Sequence, residues 1–348
     1  MKDVDVAVVG AGISGTVFCW AMQRIDPDVR IVCIDRLDDR RFDRYHSICG
    51  EAVSKQAFKE LPFSPRCVCN RIEKVREIWP GDIVIEERAK GYILDRPTFL
   101  HDLQDECEEV SFEKRTLRSV RRDGERMVLS TDIEEIVCDV VIGADGAFST
   151  VRRSLFGSSA PVTIPVSQFI VDEVSDSGVI EFVYGERYGG GYRWRFPCGD
   201  FSNVGFPHGC DEVPERTLAK GGRHIPIGGV ESIVVPGACL LGDAAAMVNP
   251  VSFGGIRVAM LSAVKAAEAV AKGDLGVYQR WWDSSGFSDP IFMKAYEVSC
   301  RWRDKDMIEF MTPFRHGYRP AAIFRALLGN EKHVTVAKAY MKSFRYGW

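Results

Sequence analysis

The chain lacks any apolar run long enough to cross a bilayer, so no spanning segment is expected. No signal peptide precedes the first strand-like segment, which starts almost at Met1. A cytoplasmic protein with free thiols is therefore expected. Metal-ligand spacing is missing too. The eleven cysteines are scattered, Cys67 and Cys69 form the one close pair, and nothing near them completes a zinc or iron–sulfur pattern. Net positive charge is absent: at -4 the chain is not a general nucleic-acid binder, and no nucleic-acid partner is expected. There is no internal repeat and no low-complexity segment. What remains, with 46% apolar and 27% charged residues over 348 positions, is an ordinary globular chain of two lobes with a helical tail. The tail stands apart electrically. From Arg301 to Trp348 ten basic residues face four acidic ones, so it is +6 while the rest is -10. Such a tail either meets anionic lipid or a phosphorylated substrate, or is a solvated helical face.

The strongest motif comes first. Val4, Val6, Val8 and Val9 suit a strand buried on both faces, and Gly10-Ala11-Gly12 turn it into a helix from about Ile13 to Arg24. Gly10 permits the turn, Gly12 clears room for a pyrophosphate, and Gly15 lets the helix pack on the strand. The helix N-terminus offers N–H groups and a positive dipole end to the phosphates. A second strand, Val29 to Ile34, ends in Asp35, which can accept from ribose hydroxyls and would repel a 2′-phosphate. This is a dinucleotide site, and the motif alone does not separate NAD from FAD.

The charged stretch after Asp35 is expected to be a loop, and Cys49-Gly50-Glu51 to open a helix that Pro62 stops. Val68 to Glu87 alternates like strands of a different sheet, and Asp95-Arg96-Pro97 starts a helix. Val140 to Gly143 is a buried strand running into Ala144-Asp145-Gly146, where Asp145 could bond a ribose. Between Pro161 and Gly209 lie more strands. One of them puts Tyr192, Trp194 and Phe196 on one face, as sheet core or as an apolar pocket wall. A last strand runs into Gly242-Asp243, followed by Pro250, Phe253, Gly254, Gly255 and Ile256 and a helix to about Lys272. The glycines there let backbone N–H groups approach a flat ligand or a pyrophosphate. Glu331 to Tyr346 fits an amphipathic helix with Lys338, Lys342 and Arg345 opposite Val336, Tyr340 and Phe344, either docked on the domain or lying on a membrane.

Taken in order, these motifs resemble the geranylgeranyl reductase family of FAD-dependent oxidoreductases, relatives of the aromatic hydroxylases. The resemblance covers roughly residues 4 to 285. It implies an α/β fold: a Rossmann-like FAD-binding domain from 1–66, 92–160 and 237–285, with an inserted antiparallel substrate domain from 67–91 and 161–236 as in para-hydroxybenzoate hydroxylase. A short basic helical segment, 286–348, would follow. The cofactor implied is FAD, held by Gly10, Gly12, Ser14, Gly15, Asp35, Arg36, Cys49, Gly50, Arg96, Asp145, Gly146, Gly242, Asp243, Pro250, Gly254, Gly255 and Ile256. The Tyr192-Arg193-Trp194-Arg195-Phe196-Pro197 run is similar to the family's YxWxFP signature. It moves Tyr192, Trp194 and Phe196 to the substrate wall, joined by Phe253, which stands where the family has a glycine. Reduction of carbon–carbon double bonds in an isoprenoid or other apolar substrate is implied, with Cys49 or Tyr192 near the reacting carbon as catalytic residues. Electrons would come from NAD(P)H or a ferredoxin-like protein, and the basic tail could make peripheral membrane contact. Alternatives of other classes are an FAD-dependent monooxygenase of the same fold and a non-catalytic flavin- or lipid-binding protein.

Overall fold

The computed structural model describes residues 1–47, 49–157, 161–173, 176–210, 212–328 and 330–348. Val6–Val9 forms a fully buried strand at the middle of a six-stranded sheet. Its order is Val234–Val235, Ala238–Leu240, Val140–Gly143, Val6–Val9, Ile31–Asp35, Val110–Lys114. All pairings are parallel except the hairpin between the first two, turned at Gly237. The apolar runs of its central strands are what a parallel sheet covered on both faces requires, while the edge strand Val110–Lys114 carries Ser111, Glu113 and Lys114. Helices Ile13–Ile25 and Ile256–Ala271, which pack on each other, and Arg96–Asp105 cover it. A four-stranded sheet, from Lys2–Asp3, Glu135–Cys138, Arg126–Thr131 and Leu117–Asp123, stands beside it.

The second large sheet has eight strands: Thr217–Ile227, Val162–Val171, Phe201–Pro207, Arg193–Cys198, Val179–Val183, Val68–Trp79, Ile83–Leu94 and Ala52–Ser54. It is antiparallel except where Val179–Val183 runs parallel to Val68–Trp79. The fold is thus α/β, with a nucleotide-type sheet, an inserted and mainly antiparallel sheet, and a helical tail.

Local expectations needed correction at several places. The charged stretch after Asp35 is not all loop. Asp38 accepts from the Arg41 N–H at 3.0 Å and caps a helix, Asp39–His46, whose buried Phe42 and His46 anchor it. Cys49-Gly50-Glu51 does not open a helix; Ala52–Ser54 first adds an edge strand, and Ser54 caps the helix Lys55–Glu60. Strand Thr217–Ile227 was not expected, because Gly221-Gly222 breaks its alternating pattern. Strand Ile83–Leu94 lies wholly in the eight-stranded sheet and Val234–Val235 in the six-stranded one, so sheet membership crosses the expected boundaries at 91/92 and 236/237.

Glu331–Tyr346 is a helix, as its pattern predicted, and it docks on Ile291–Ser299 with Val336, Ala337 and Ala339 buried. Lys342 is spent on Asp289. Among the described residues no helix is long and apolar enough to cross a membrane.

Candidate active site

One cavity of about 940 Å³ runs between the two large sheets. Its first wall is the glycine turn. Gly10 has φ +100°, and a Cβ there would sit 2.3 Å from the Ala144 carbonyl oxygen. A Cβ on Gly15 would lie 1.8 Å from the Gly10 oxygen, so helix and strand meet backbone to backbone. Gly12 begins the helix with no side-chain cap, which leaves first-turn N–H groups for a ligand. Asp35 accepts from the N–H groups of Ala11 at 2.8 Å and Leu37 at 2.9 Å, which fixes its carboxylate at the cavity wall beside Arg36.

The second wall is helix Ile256–Ala271, whose first residue follows Gly255, again without a side-chain cap. Asn249 Oδ1 accepts from the N–H groups of Val251 at 2.9 Å and Ser252 at 3.1 Å. That folds the turn that brings Phe253, Gly254, Gly255 and Ile256 to the cavity. A Cβ on Gly254 would strike the Gly347 oxygen at 1.8 Å, so the tail is seated directly on this turn. Trp348 lines the cavity, and its main-chain oxygen accepts from Ser54 Oγ at 2.6 Å.

Between these walls lies a knot of charge. Arg96 is buried; its Nε and Nη2 donate to the His46 carbonyl at 3.0 and 2.8 Å, and Nη2 lies 3.3 Å from Glu51 Oε1. Glu51 is 3% exposed, holds a left-handed φ of +60°, and neither oxygen has a hydrogen-bond partner among the described residues. Burial pushes its carboxyl up to about 7, against the pull of Arg96 and Arg223. His46 is pushed down to about 2 by burial, then by Arg96 and Arg223, so its imidazole is neutral. Arg223 lies 3.6 Å over the Tyr45 ring. Asp243 is exposed on the cavity wall; the protein around it raises its pKa, and Arg223 and Arg96 pull it back.

The remaining wall is aromatic. Tyr192, Trp194 and Phe196 are buried on one strand face and line the cavity. Tyr192 stacks on Phe253 with centroids 5.2 Å apart, and its hydroxyl donates to the Ser252 carbonyl. Burial raises its pKa well above the usual phenol range, so this hydroxyl keeps its proton. Gly50 closes the junction: a Cβ there would meet the Phe196 ring at 2.7 Å.

Most of the expected site residues therefore converge. Gly10, Gly12, Ser14, Asp35, Arg36, Cys49, Gly50, Arg96, Asp145, Gly146, Asp243, Gly254, Gly255, Ile256 and the four aromatics all line this cavity. Gly15, Gly242 and Pro250 are not on its wall. Gly15 acts through packing, and Gly242, with φ +50°, turns the chain that presents Asp243. The carboxylate of Asp145 is already engaged, accepting from Ser149 Oγ at 2.5 Å and from the Thr150 and Val151 N–H groups at 2.6 and 3.1 Å. It thereby holds the first turn of the helix Thr150–Leu155, which Ser149 caps, at the cavity's edge. Sequence reasoning missed His46 and Arg223, and gave Glu51 no role. Arg223 sits in the unexpected strand, where the residues around the glycine pair alternate in burial. His46 and Glu51 carry no local signal, because their burial depends on Arg96, fifty and forty-five positions away.

The residues present fit a flavin dinucleotide. Two uncapped helix starts face one cavity and glycines clear the approaches. Between them lie the buried Arg96 and, among the described residues, Glu51 oxygens and a His46 Nδ1 with no hydrogen-bond partner.

Comparison with known proteins agrees with this geometry. No protein-family model matches the chain. A digeranylgeranylglycerophospholipid reductase of Methanothrix thermoacetophila is 29% identical, over 88% of this chain and 90% of its own length. A digeranylgeranylglycerophospholipid reductase of Methanosphaera stadtmanae is 26% identical, over 90% of this chain and 91% of its own. Among solved structures, a geranylgeranyl bacteriochlorophyll reductase-like protein from Thermoplasma acidophilum superposes with a TM-score of 0.78 at 20% identity, covering 98% of this chain and 99% of that one. A p-nitrophenol 4-monooxygenase from Pseudomonas putida reaches 0.68 at 15% identity, with 98% of each chain covered. The chain resembles the geranylgeranyl reductase family in sequence and shares its fold with flavin monooxygenases.

Proposed function

We propose that the chain is an FAD-dependent oxidoreductase that reduces carbon–carbon double bonds of an isoprenoid or other apolar substrate. One observation supports this most: a single cavity joins a dinucleotide-type glycine turn to a wall of aromatic rings, with Gly50, Gly254 and Gly255 at the junction. Similarity to the named reductases over about nine-tenths of the chain supports the direction of the chemistry.

FAD, once bound and reduced by an external electron donor such as NAD(P)H or a ferredoxin-like protein, would supply the hydride and return to its oxidised form. Gly10, Gly12, Ser14, Asp35 and Arg36 would hold its adenosine half. Arg96, Asp243 and the Gly254-Gly255-Ile256 helix start would hold its flavin half, with Cys49 and Gly50 beside it. The protein's task is to keep the chamber dry, to orient the alkene against Tyr192, Trp194, Phe196 and Phe253, and to supply a proton. Of the two proposed catalytic residues, Tyr192 is poorly placed to give up a proton, since its hydroxyl is tied to Ser252 and burial raises its pKa. Cys49 lines the cavity and keeps the role. Glu51, two residues on in the chain, has its pKa raised by burial and would be the group to resupply it.

The test is anaerobic. The flavin-loaded protein is chemically reduced and given geranylgeranyl lipid under argon. Reoxidation of the flavin with a gain of two hydrogens in the lipid is the expected result. A flavin that stays reduced until oxygen enters would point instead to the monooxygenase chemistry of the fold.

A further inference from the structure

Beyond Tyr192 the cavity continues toward the helical tail, and its lining changes. The rings of Tyr184 and Tyr192 lie 5.6 Å apart, and past Tyr184 come Tyr340, Tyr318 and Phe344 from the tail, with Glu77 and Glu87 from the sheet. Strand alternation explains how a carboxylate comes to be here. Val75, Glu77 and Trp79 share one strand face, and Glu77 lies opposite Ile85 on the neighbouring strand. The register therefore aims Glu77 where an aliphatic side chain would ordinarily pack.

Glu77 is 8% exposed. Its Oε2 accepts from the Tyr318 hydroxyl and from Trp79 Nε1 at 3.3 Å, while Oε1 accepts no hydrogen bond among the described residues. No cationic side chain lies within ion-pair distance of it among the described residues. Glu87, whose Oε1 accepts from the Tyr318 N–H at 3.1 Å, adds more negative charge. Burial raises the Glu77 pKa and Glu87 raises it further, against the two hydrogen bonds. A tie between tail and sheet would need an acceptor for Tyr318, and a glutamine would serve. It would need neither a charge nor an opening onto the cavity. The surrounding rings, with Tyr184 stacked on Trp79 at 3.7 Å, present electron-rich faces. A buried carboxylate without a cation, among aromatic faces and beside an open cavity, lacks one partner: a positively charged donor.

We propose that this end of the cavity recognises a protonated amine on an otherwise apolar ligand, through Glu77 and the rings of Tyr184, Tyr318 and Tyr340. The inference rests on the reading of the cavity as the substrate chamber of a flavin enzyme, and it narrows the substrate class. A pure hydrocarbon end would leave the carboxylate buried against alkyl carbon. An ammonium group fills the free acceptor and the ring faces together.

Calorimetric titration of the flavin-loaded protein with n-octylamine, n-octanol and n-octanoate near neutral pH tests it. The amine is expected to bind about tenfold tighter than the alcohol or more, and the carboxylate weakest. Glu77→Gln should erase the amine's advantage while leaving octanol affinity within about twofold. Glu77→Met, similar in length and uncharged, takes its place with the same expectation if the glutamine variant does not fold. Equal binding of amine and alcohol, preference for octanoate, or an amine preference that survives both variants would overturn the proposal. Because no turnover is read, such a result leaves the reductase reading standing. Failure of the anaerobic experiment would sink that reading with these affinities unchanged.

Discussion

The two ends of the cavity solve opposite problems. At the glycine turn the wall is backbone: N–H groups and glycines, with the buried Arg96 and the half-buried Arg223, suit a polyanion whose shape is fixed. At the tail end the wall is side chains: tyrosines, a phenylalanine, Glu77 and Glu87, with Arg88 and Lys90 farther along the Glu87 strand, which suit an apolar body with a different polar tip. A backbone cradle tolerates almost no change, because a Cβ has nowhere to go. A side-chain wall tolerates substitution and so can set specificity. The junction, where Gly50 touches Phe196 and Tyr192 stacks on Phe253, is where chemistry between the two ends would occur.

The largest effect should come from breaking the backbone end. Gly15→Ala forces a Cβ to within 1.8 Å of the Gly10 oxygen. A stability loss of about 4 kcal/mol or more, with loss of bound flavin, is expected in urea unfolding and flavin content. Retention of both would mean the strand–helix contact is looser than described. Next comes Arg96→Ala, which leaves the His46 carbonyl without its two donors and Glu51 without its cationic neighbour, and should cost about 1–3 kcal/mol. A double variant with Glu51→Gln should recover part of that loss, whereas simple additivity would deny the pairing.

The third is a pH effect. Between its ordinary 4.5 and about 7, Glu51 keeps a proton in the folded chain that the unfolded chain has released, so stability falls as pH rises. His46 acts oppositely. Between about 2 and 6.5 the unfolded chain holds the extra proton, so stability rises with pH. Each slope is up to about 1.4 kcal/mol per pH unit, and the two oppose each other between 4.5 and 6.5. Relative to the unaltered protein, Glu51→Gln should tilt the stability profile upward with pH in that window, and His46→Asn downward. Parallel profiles for all three proteins would show that neither group is held as described. The smallest effect belongs to Tyr192→Phe, which removes one hydrogen bond to Ser252 and should cost about 1 kcal/mol with turnover largely kept. A collapse of turnover in single-turnover kinetics would restore Tyr192 as proton donor.

The contrast between the ends also explains what could be read from the chain alone. The glycine turn, Asp35 and the Gly254-Gly255 helix start are local patterns, each complete within a few residues, while Arg96 was singled out by family likeness; all of them line the one cavity. Tyr192, Trp194 and Phe196 were placed on one face by strand alternation, and family likeness decided between core and pocket. The charge knot was illegible, because His46, Glu51, Arg96 and Arg223 are contributed by four separate segments and only the fold brings them together. The tail end was more hidden still. Glu77 and Tyr318 lie 241 positions apart, and a glutamate in an alternating strand gives no sign that it points inward. The tail helix was legible as a pattern, and docking on the domain was one of the two readings its amphipathic stripe allowed; the structure shows it docked, on Ile291–Ser299.

The most direct test of the central claim is a spectroscopic titration of flavin-stripped protein with FAD, FMN and NAD. One FAD per chain is predicted, with a perturbed flavin spectrum and far weaker binding of FMN, which cannot reach the turn held by Gly10, Gly12 and Asp35. FMN binding as tight as FAD, or no flavin uptake at all, would contradict the account.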